Sequence, residues 1–166
     1  MYSAIDIANF FIDVFSLDEE HPTNLKLNKL AYYAQGHSYA RFNRPLFNEN
    51  FQAWKFGPVV PSIYNEFKVY GSNGIPKATK ELPAFSEEDA ALLLDVAREY
   101  GQFTASALTT KTHKKGTPWQ KTAQTNAHNA IISKESISQY FHTVEPKLRS
   151  MDEIIEALYD EDGYLS

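Results

Sequence analysis

The side chains best suited to acid–base or metal chemistry are scattered along the chain. The histidines stand at His21, His37, His113, His128 and His142, and no two of them are four residues apart. A helix therefore cannot present a histidine pair on one face, as the H-E-x-x-H motif of zinc enzymes does. We predict no metal site and no cofactor.

Motifs for nucleophilic catalysis and phosphate binding are also missing from the sequence. The chain has no cysteine and contains no G-x-S-x-G, GxGxxG or GxxxxGK[ST] motif. An acidic run, 18–20, precedes a proline-containing loop, which favours a solvated loop over a pair of catalytic carboxylates. We predict that the protein is not an enzyme. An enzyme that uses His113 and polar groups converging on it in space is the alternative that the sequence leaves open.

Length and composition are those of an ordinary globular domain. The 166 residues are 43% hydrophobic and 22% charged, and a chain of this length buries roughly 70% of the surface that it exposes when unfolded. Asp6 and Asp13 interrupt the apolar residues near the N-terminus, so no signal peptide is predicted. No run reaches the ~18 apolar residues of a membrane span. We predict one domain over 1–166 that is soluble and cytoplasmic, without membrane contact.

Charge is distributed unevenly, although the net charge is only −5. Residues 21–48 and 101–134 contain basic but no acidic side chains, whereas residues 151–166 contain acidic but no basic ones. These segments are either solvated faces of opposite sign or a dipolar surface that steers a charged protein partner. The lysines of 101–134 are few and lack a helix-turn-helix pattern, so no strong nucleic-acid binding is expected.

Apolar residues recur at helical spacing along most of the chain, which predicts a mainly α fold. Capping residues at the starts, with Gly or Pro beyond the ends, delimit the individual helices. Gly36 lies inside the second helix, where it costs ~1 kcal/mol relative to Ala, and we interpret it as a close approach of two helices. The predicted helices begin near Ser3, Thr23, Pro61, Ser86, Thr104, Thr117, Ser133 and Ser150.

The stretch around residues 46–58 differs from the helical pattern. Aromatic residues stand among polar ones there, which is typical of a short strand-like segment. Gly57 and Pro58 predict a turn, and Pro61 suits the first position of a helix because its missing N–H would have no partner there. The predicted fold class is therefore mainly α: a single compact helical domain with a small β-hairpin or irregular β element around residues 46–58.

Two blocks of the sequence carry long and specific motifs. The first block reads LKLNKLAYYAQG over 25–36, PLF over 45–47 and FQAWKFGPVVPSIY over 51–64. The second reads LTTKTHKKGTPW over 108–119 and is followed by ISQYF over 137–141. Together these closely resemble the Panacea antitoxin domain, also called the SocA-like antitoxin family. The second block departs from the family pattern by extra residues between the threonines and the histidine.

The resemblance covers about residues 1–145 and leaves 146–166 as an acidic C-terminal helix. It implies a non-enzymatic antitoxin of a toxin–antitoxin or prophage-encoded module, which neutralises a cognate protein toxin by direct binding. A proteolytic adaptor that delivers its toxin to a cytosolic protease is the alternative within the same family. The sequence leaves the fold of the toxin and the oligomeric state of the antitoxin open.

The same motifs supply candidate contact residues. On the helix over 26–41, part of the Lys and Tyr set must face away from the apolar stripe, and tyrosines make good interface anchors. For Tyr32 and Tyr33, the sequence favours neither a core position nor a surface position. The predicted partner-binding residues are Lys29, Tyr32, Tyr33, Gln35, His113 and Lys114.

The remaining motif residues are predicted to be structural. Both tryptophans are expected to pack in the core and to pin short irregular elements onto the helices. The glycine and prolines are expected to shape turns and to start helices. These structural positions are Trp54, Gly57, Pro58, Pro61, Tyr64, Pro118 and Trp119.

Overall fold

Helices form most of the structure, a computed structural model that describes residues 1–159. The helices are α1 Ala4–Ser16, α2 Asn24–Phe42, α3 Pro61–Phe67, α4 Glu87–Tyr100, α5 Ala105–Thr112, α6 Pro118–Ala123, α7 Lys134–Thr143 and α8 Met151–Ala157. A 3₁₀ turn, Lys68–Tyr70, continues α3. The strands are β1 Phe51–Trp54, β2 Gly57–Val59 and β3 Ile131–Ile132. The predicted fold class, mainly α with a small β element, is confirmed.

The structure describes only part of the predicted C-terminal helix. The acidic helix expected over 146–166 is present as α8, and residues 160–166 lie outside the described residues. The assignment of all 166 residues to one domain stays a prediction.

Side-chain caps start most of the helices where the sequence predicts them, each worth ~1 kcal/mol. Pro61 and Pro118 occupy the first positions of α3 and α6, as expected. At α4, Ser86 accepts a hydrogen bond from the Asp89 amide at 3.2 Å, but the Asp89 carboxylate pairs with Arg44 instead of completing a capping box with the Ser86 amide. The capping side chains are Ser3, Thr23, Ser86, Thr104, Thr117, Ser133 and Ser150.

Helix α2 is the central element, and α1, α3, α4, α5, α7 and the β-hairpin all pack against it. Its apolar residues Leu27, Leu30 and Ala34 are fully buried. Gly36 lies against the ring of Phe141 in α7, and a Cβ at this position would overlap that ring. The close helix approach that Gly36 predicts is therefore confirmed.

The strands form a small antiparallel sheet in the order β2-β1-β3. Trp54 pairs with Gly57 at the hairpin turn, and Phe51 pairs with Ile132 of β3. Gly57 has a φ of +112°, a left-handed conformation that side chains disfavour. The sequence does not predict β3, because two residues are too few to show a strand period.

Candidate functional site

A wide groove of about 780 Å³ opens between the β-hairpin, the start of α2, α3 and α6. Aromatic side chains form much of its wall. Trp54 and Tyr64 meet edge to face with their ring centroids 5.0 Å apart. Phe56 and Tyr64 are 56% and 40% exposed, and Trp119 of α6 lines the groove as well. The groove is thus an exposed aromatic surface, of the kind that anchors binding partners.

Trp54 owes its place in the groove to the alternation of side chains along β1. Phe51 lies on the core side and is buried, whereas Trp54, three residues later, lies on the opposite face and is half-buried. Its indole Nε1 donates to Gln52 Oε1 at 2.9 Å. The prediction that Trp54 packs in the core is wrong, because its odd spacing from a buried residue turns it toward the groove.

Trp119 connects the groove to the interior. Its indole Nε1 donates to the carbonyl of Trp54 at 2.8 Å, which ties α6 to β1. The ring of His113 stacks on it, with 3.6 Å between centroids and 11° between planes. Trp119 packs against the core but is only half-buried. It has the pinning position that the sequence predicts, and it also lines the groove, which the sequence does not predict.

Two asparagines at the start of α2 hold this side of the groove in place. Asn28 Oδ1 accepts a hydrogen bond from the Val60 amide at 2.9 Å, and Asn24 Nδ2 donates to the carbonyl of Tyr64 at 3.0 Å. Asn28 also donates to Asn24 Oδ1 at 3.0 Å. An unpaired buried backbone group would cost about 1–3 kcal/mol. Neither residue is among those predicted from the sequence, although two asparagines four positions apart on a buried helix are a usable signal.

Lys29 lies beneath the hairpin turn and is 0% exposed. Its Nζ donates to the carbonyl of Pro58 at 3.3 Å, and no described residue forms a salt bridge with it. Burial lowers the pKa of Lys29 from 10.5 to about 7. A Cβ at Gly57 would lie 2.5 Å from Lys29 Cε and 3.0 Å from Thr112 Oγ1, so the turn leaves no room for a side chain. The prediction that Lys29 faces a partner is wrong, because its ammonium group is inside the protein.

Tyr32 and Tyr33 are also buried, so the predicted outward face of α2 is an interior face. Tyr32 meets the ring of Phe141 edge to face, with 5.5 Å between centroids, and Tyr33 stacks on Tyr100 at 4.0 Å. Of the two alternatives for these tyrosines, the core position is correct. The reason is that α2 is surrounded by other elements, whereas helical periodicity predicts an outward face only for a helix with one solvent-facing side.

Gln35 is buried for a different reason, because it serves as the hydrogen-bonding partner of an irregular segment. Its Oε1 accepts from the amides of Leu46 and Phe47 at 2.8 and 3.4 Å. Its Nε2 donates to the carbonyl of Phe47 at 2.8 Å. The predicted partner contact of Gln35 is therefore wrong: both ends of its amide are used inside the protein.

His113 and Lys114 follow one another at the end of α5 but lie in different surroundings. His113 is half-buried against Trp119, and its Nε2 atom is buried without a hydrogen-bond partner among the described residues. Burial and, secondarily, the charge of Lys29 lower the pKa of His113. Lys114 is exposed and borders a separate cleft of about 430 Å³ between α4 and the end of α7. The structure brings His113 next to a residue of the groove and leaves Lys114 outside it, and their contact with a partner stays a prediction.

The charged side chains that line the groove are basic. Lys55 and Lys68 are exposed at its edges, and His128 lies in the loop after α6. Within residues 1–159, no group of three His, Asp or Glu side chains is placed to hold a metal ion. Over the same range, no helix is both long and apolar enough to cross a membrane. What the groove offers to a ligand is aromatic surface and positive charge.

The groove therefore combines exposed aromatic rings with a wall that the buried side chains of Asn24 and Asn28 hold in place on a helical scaffold. Residues 27–120 match the family described as Antitoxin SocA-like, Panacea domain, and this chain belongs to that family. The match runs from within α2 to within α6, so it includes Asn28 and both tryptophans, while Asn24 precedes it. The resemblance inferred from the motifs is confirmed.

One curated relative is Antitoxin SocA of Caulobacter vibrioides (strain NA1000 / CB15N), which is 32% identical over 124 residues. The aligned region covers 68% of this chain and 66% of the relative, so the chain spans just under two thirds of the relative's length. No solved structure matches the chain. Family membership therefore rests on sequence, and the spatial arrangement of the motif residues comes from the fold described above.

Proposed function

We propose that this protein is the antitoxin of a toxin–antitoxin pair and that it neutralises its cognate protein toxin by direct binding in the groove. Membership in the SocA-like family and the similarity to a protein named Antitoxin SocA support the antitoxin role. On this proposal, the protein acts in the cytoplasm and without catalysis.

The observation that carries the proposal is the exposure of aromatic rings along the groove. Tryptophan and tyrosine dominate the binding energy of protein interfaces, because they combine a large contact area with few rotatable bonds. Trp54, Phe56 and Tyr64 are held at this surface by hydrogen bonds of their side chains or backbone rather than by burial in the core. Contiguous exposed apolar surface of this kind marks interaction sites in soluble proteins.

Co-expression with the product of the neighbouring gene tests the proposal. We expect the antitoxin to restore the growth of cells that express this toxin, and the two proteins to co-elute in size-exclusion chromatography. The host should lack its cytosolic ATP-dependent proteases, so that rescue cannot come from degradation. Rescue in that host without a detectable complex would contradict direct neutralisation.

A proteolytic adaptor is the second candidate, and helix α8 is the observation that favours it. An adaptor needs two partner surfaces, and α8 lies outside the groove with Ile155 and Leu158 exposed between acidic residues. If growth is rescued only in cells that retain their cytosolic proteases, the adaptor role would replace direct neutralisation.

A further inference from the structure

We propose that the groove receives an acidic segment of the toxin, which inserts an aromatic or large aliphatic side chain among Trp54, Tyr64 and Trp119 and sets a carboxylate against Lys55 or Lys68. The inference rests on the proposed function and deepens it by giving the chemistry of the bound segment. It follows from the walls of the groove, its charge and its openness.

The tryptophans of the groove favour an apolar side chain on the bound segment, because both indole N–H groups already have hydrogen-bond acceptors. Trp54 Nε1 donates to Gln52 Oε1 at 2.9 Å, and Trp119 Nε1 donates to the Trp54 carbonyl at 2.8 Å. One face of the Trp119 ring is also occupied by the stacked ring of His113. What the two tryptophans can still offer is ring surface, and an apolar side chain covers ring surface without leaving a polar group unpaired.

The edges of the groove require a negative charge. Lys55 and Lys68 are exposed, and neither forms a salt bridge with a residue in the described range 1–159. All charged side chains that line the groove are basic, so a cationic segment would be repelled while an acidic one would gain charge-assisted hydrogen bonds. A segment with a carboxylate next to an apolar anchor complements both features at once.

The openness of the groove favours a chain segment over a small molecule. Pockets for small molecules bury most of the ligand surface, whereas Phe56 and Tyr64 remain 56% and 40% exposed at the rim. Ala123 and Asn126 form the far side, where α6 passes into an exposed loop. The rim is therefore open enough to admit an extended chain segment, as peptide-binding grooves do.

Charge reversal at the groove, with a matched control, tests this inference in the full-length complex. Lys55→Glu with Lys68→Glu changes the net charge as much as Lys77→Glu with Lys115→Glu, and the control lysines are exposed positions that do not line the groove. We expect the groove variant to weaken toxin binding by about tenfold or more and the control by less than about threefold. The difference in toxin affinity between the groove variant and the control variant should shrink at high salt, because exposed charges are screened.

Peptides that tile the toxin sequence identify the bound segment. We expect the peptide that quenches Trp54 or Trp119 fluorescence to be net acidic and to contain an aromatic or large aliphatic residue. Phe56→Ala with Tyr64→Ala should weaken its binding while leaving the circular dichroism spectrum unchanged, because both side chains are exposed.

The outcomes separate this inference from the proposed function. A complex that both groove variants leave intact would overturn the acidic-segment inference and move direct neutralisation to another surface. A binding peptide that is basic would overturn the acidic-segment inference alone. A self-associated antitoxin that the groove variants convert to monomer would assign the groove to a second copy of this chain instead. Failure of toxin and antitoxin to form any complex would overturn both proposals.

Discussion

The inner face of α2 and the aromatic groove are built from the same sequence motifs, yet they place their side chains in opposite ways. Along α2, the polar groups of Lys29 and Gln35 point into the protein and bond to backbone atoms. In the groove, Trp54 and Tyr64 point toward solvent. Residue type alone therefore gives the wrong burial at both places. For Lys29 and Gln35, burial goes together with hydrogen bonds to the backbone of neighbouring segments.

The segments whose backbone groups bond to side chains of α2 are irregular or very short, so these groups have few partners within a helix or sheet. Gln35 supplies the partners for Leu46 and Phe47, and Asn28 supplies the partner for Val60. Fixing these segments with side chains from one rigid helix leaves the aromatic rings of the hairpin free to face outward. The buried polar side chains of α2 and the exposed aromatic rings of the hairpin are thus structurally linked.

Replacing one tyrosine from each region should give the largest contrast. Tyr32→Ala removes a ring that is 2% exposed, and we expect a loss of ~3–5 kcal/mol in the free energy of unfolding. Tyr64→Ala removes an exposed ring and keeps the backbone carbonyl that Asn24 binds, so its unfolding free energy should change by less than ~1 kcal/mol while toxin affinity falls. Urea denaturation followed by circular dichroism measures both. A Tyr32→Ala protein as stable as its parent would show that this face of α2 is not the core.

The two tryptophans should give an intermediate contrast. Trp119→Ala removes a hydrogen bond to the Trp54 carbonyl, a stacked imidazole and contact with the core, so we expect a loss of ~3 kcal/mol. Trp54→Ala removes a half-buried ring of the groove and should cost only ~1–2 kcal/mol while weakening toxin binding. Denaturation midpoints compare the two stabilities, and Trp119→Phe serves as a control that keeps a ring but loses the N–H. Equal destabilisation by both alanine variants would mean that Trp54 is structural, as its sequence context suggests.

The starts of the helices were predictable because capping is local. Ser3, Thr23 and Thr104 each bind an amide three residues ahead, so the signal lies within one turn of chain. Gly36 was interpretable for a similar reason, since a glycine inside a helix has a cost that a close contact explains. Local chemistry therefore predicted most of the α-helical fold.

The candidate site depended on long-range pairing and was largely beyond prediction. Helix α2 is enclosed by its neighbours, so no exposed stripe distinguishes its buried polar residues, and Lys29 looked like a surface residue. The stacking of His113 on Trp119 and the bond from Trp119 to Trp54, 65 residues away, have no trace in periodicity. The sequence could identify which motifs matter, but not that Trp54, Tyr64 and Trp119 line one groove.

The smallest expected effect is a dependence of stability on pH that comes from Lys29. Its pKa is about 7 in the folded protein and 10.5 as an ordinary lysine, so between these values the unfolded chain binds more protons than the folded one. The free energy of unfolding should therefore rise with pH in this window. The cost of burying the Lys29 charge is greatest below pH 7 and disappears toward pH 10.5. Between pH 7 and 8 the Lys29 contribution is ~1 kcal/mol. Burial lowers the pKa of the adjacent His113, so its titration falls below this window.

Lys29→Met isolates this contribution, because methionine fills a similar volume without a titratable group. Urea denaturation at pH 7 and pH 8 should show a smaller gain in stability for this variant than for the parent. Lys68→Met is the matched control: Lys68 is exposed, and its replacement should leave the parent's pH dependence in place. A Lys29→Met protein that gains as much stability as the parent between pH 7 and 8 would mean that Lys29 keeps an ordinary pKa. The buried ammonium group of Lys29 would then need a counter-charge or a water molecule next to it.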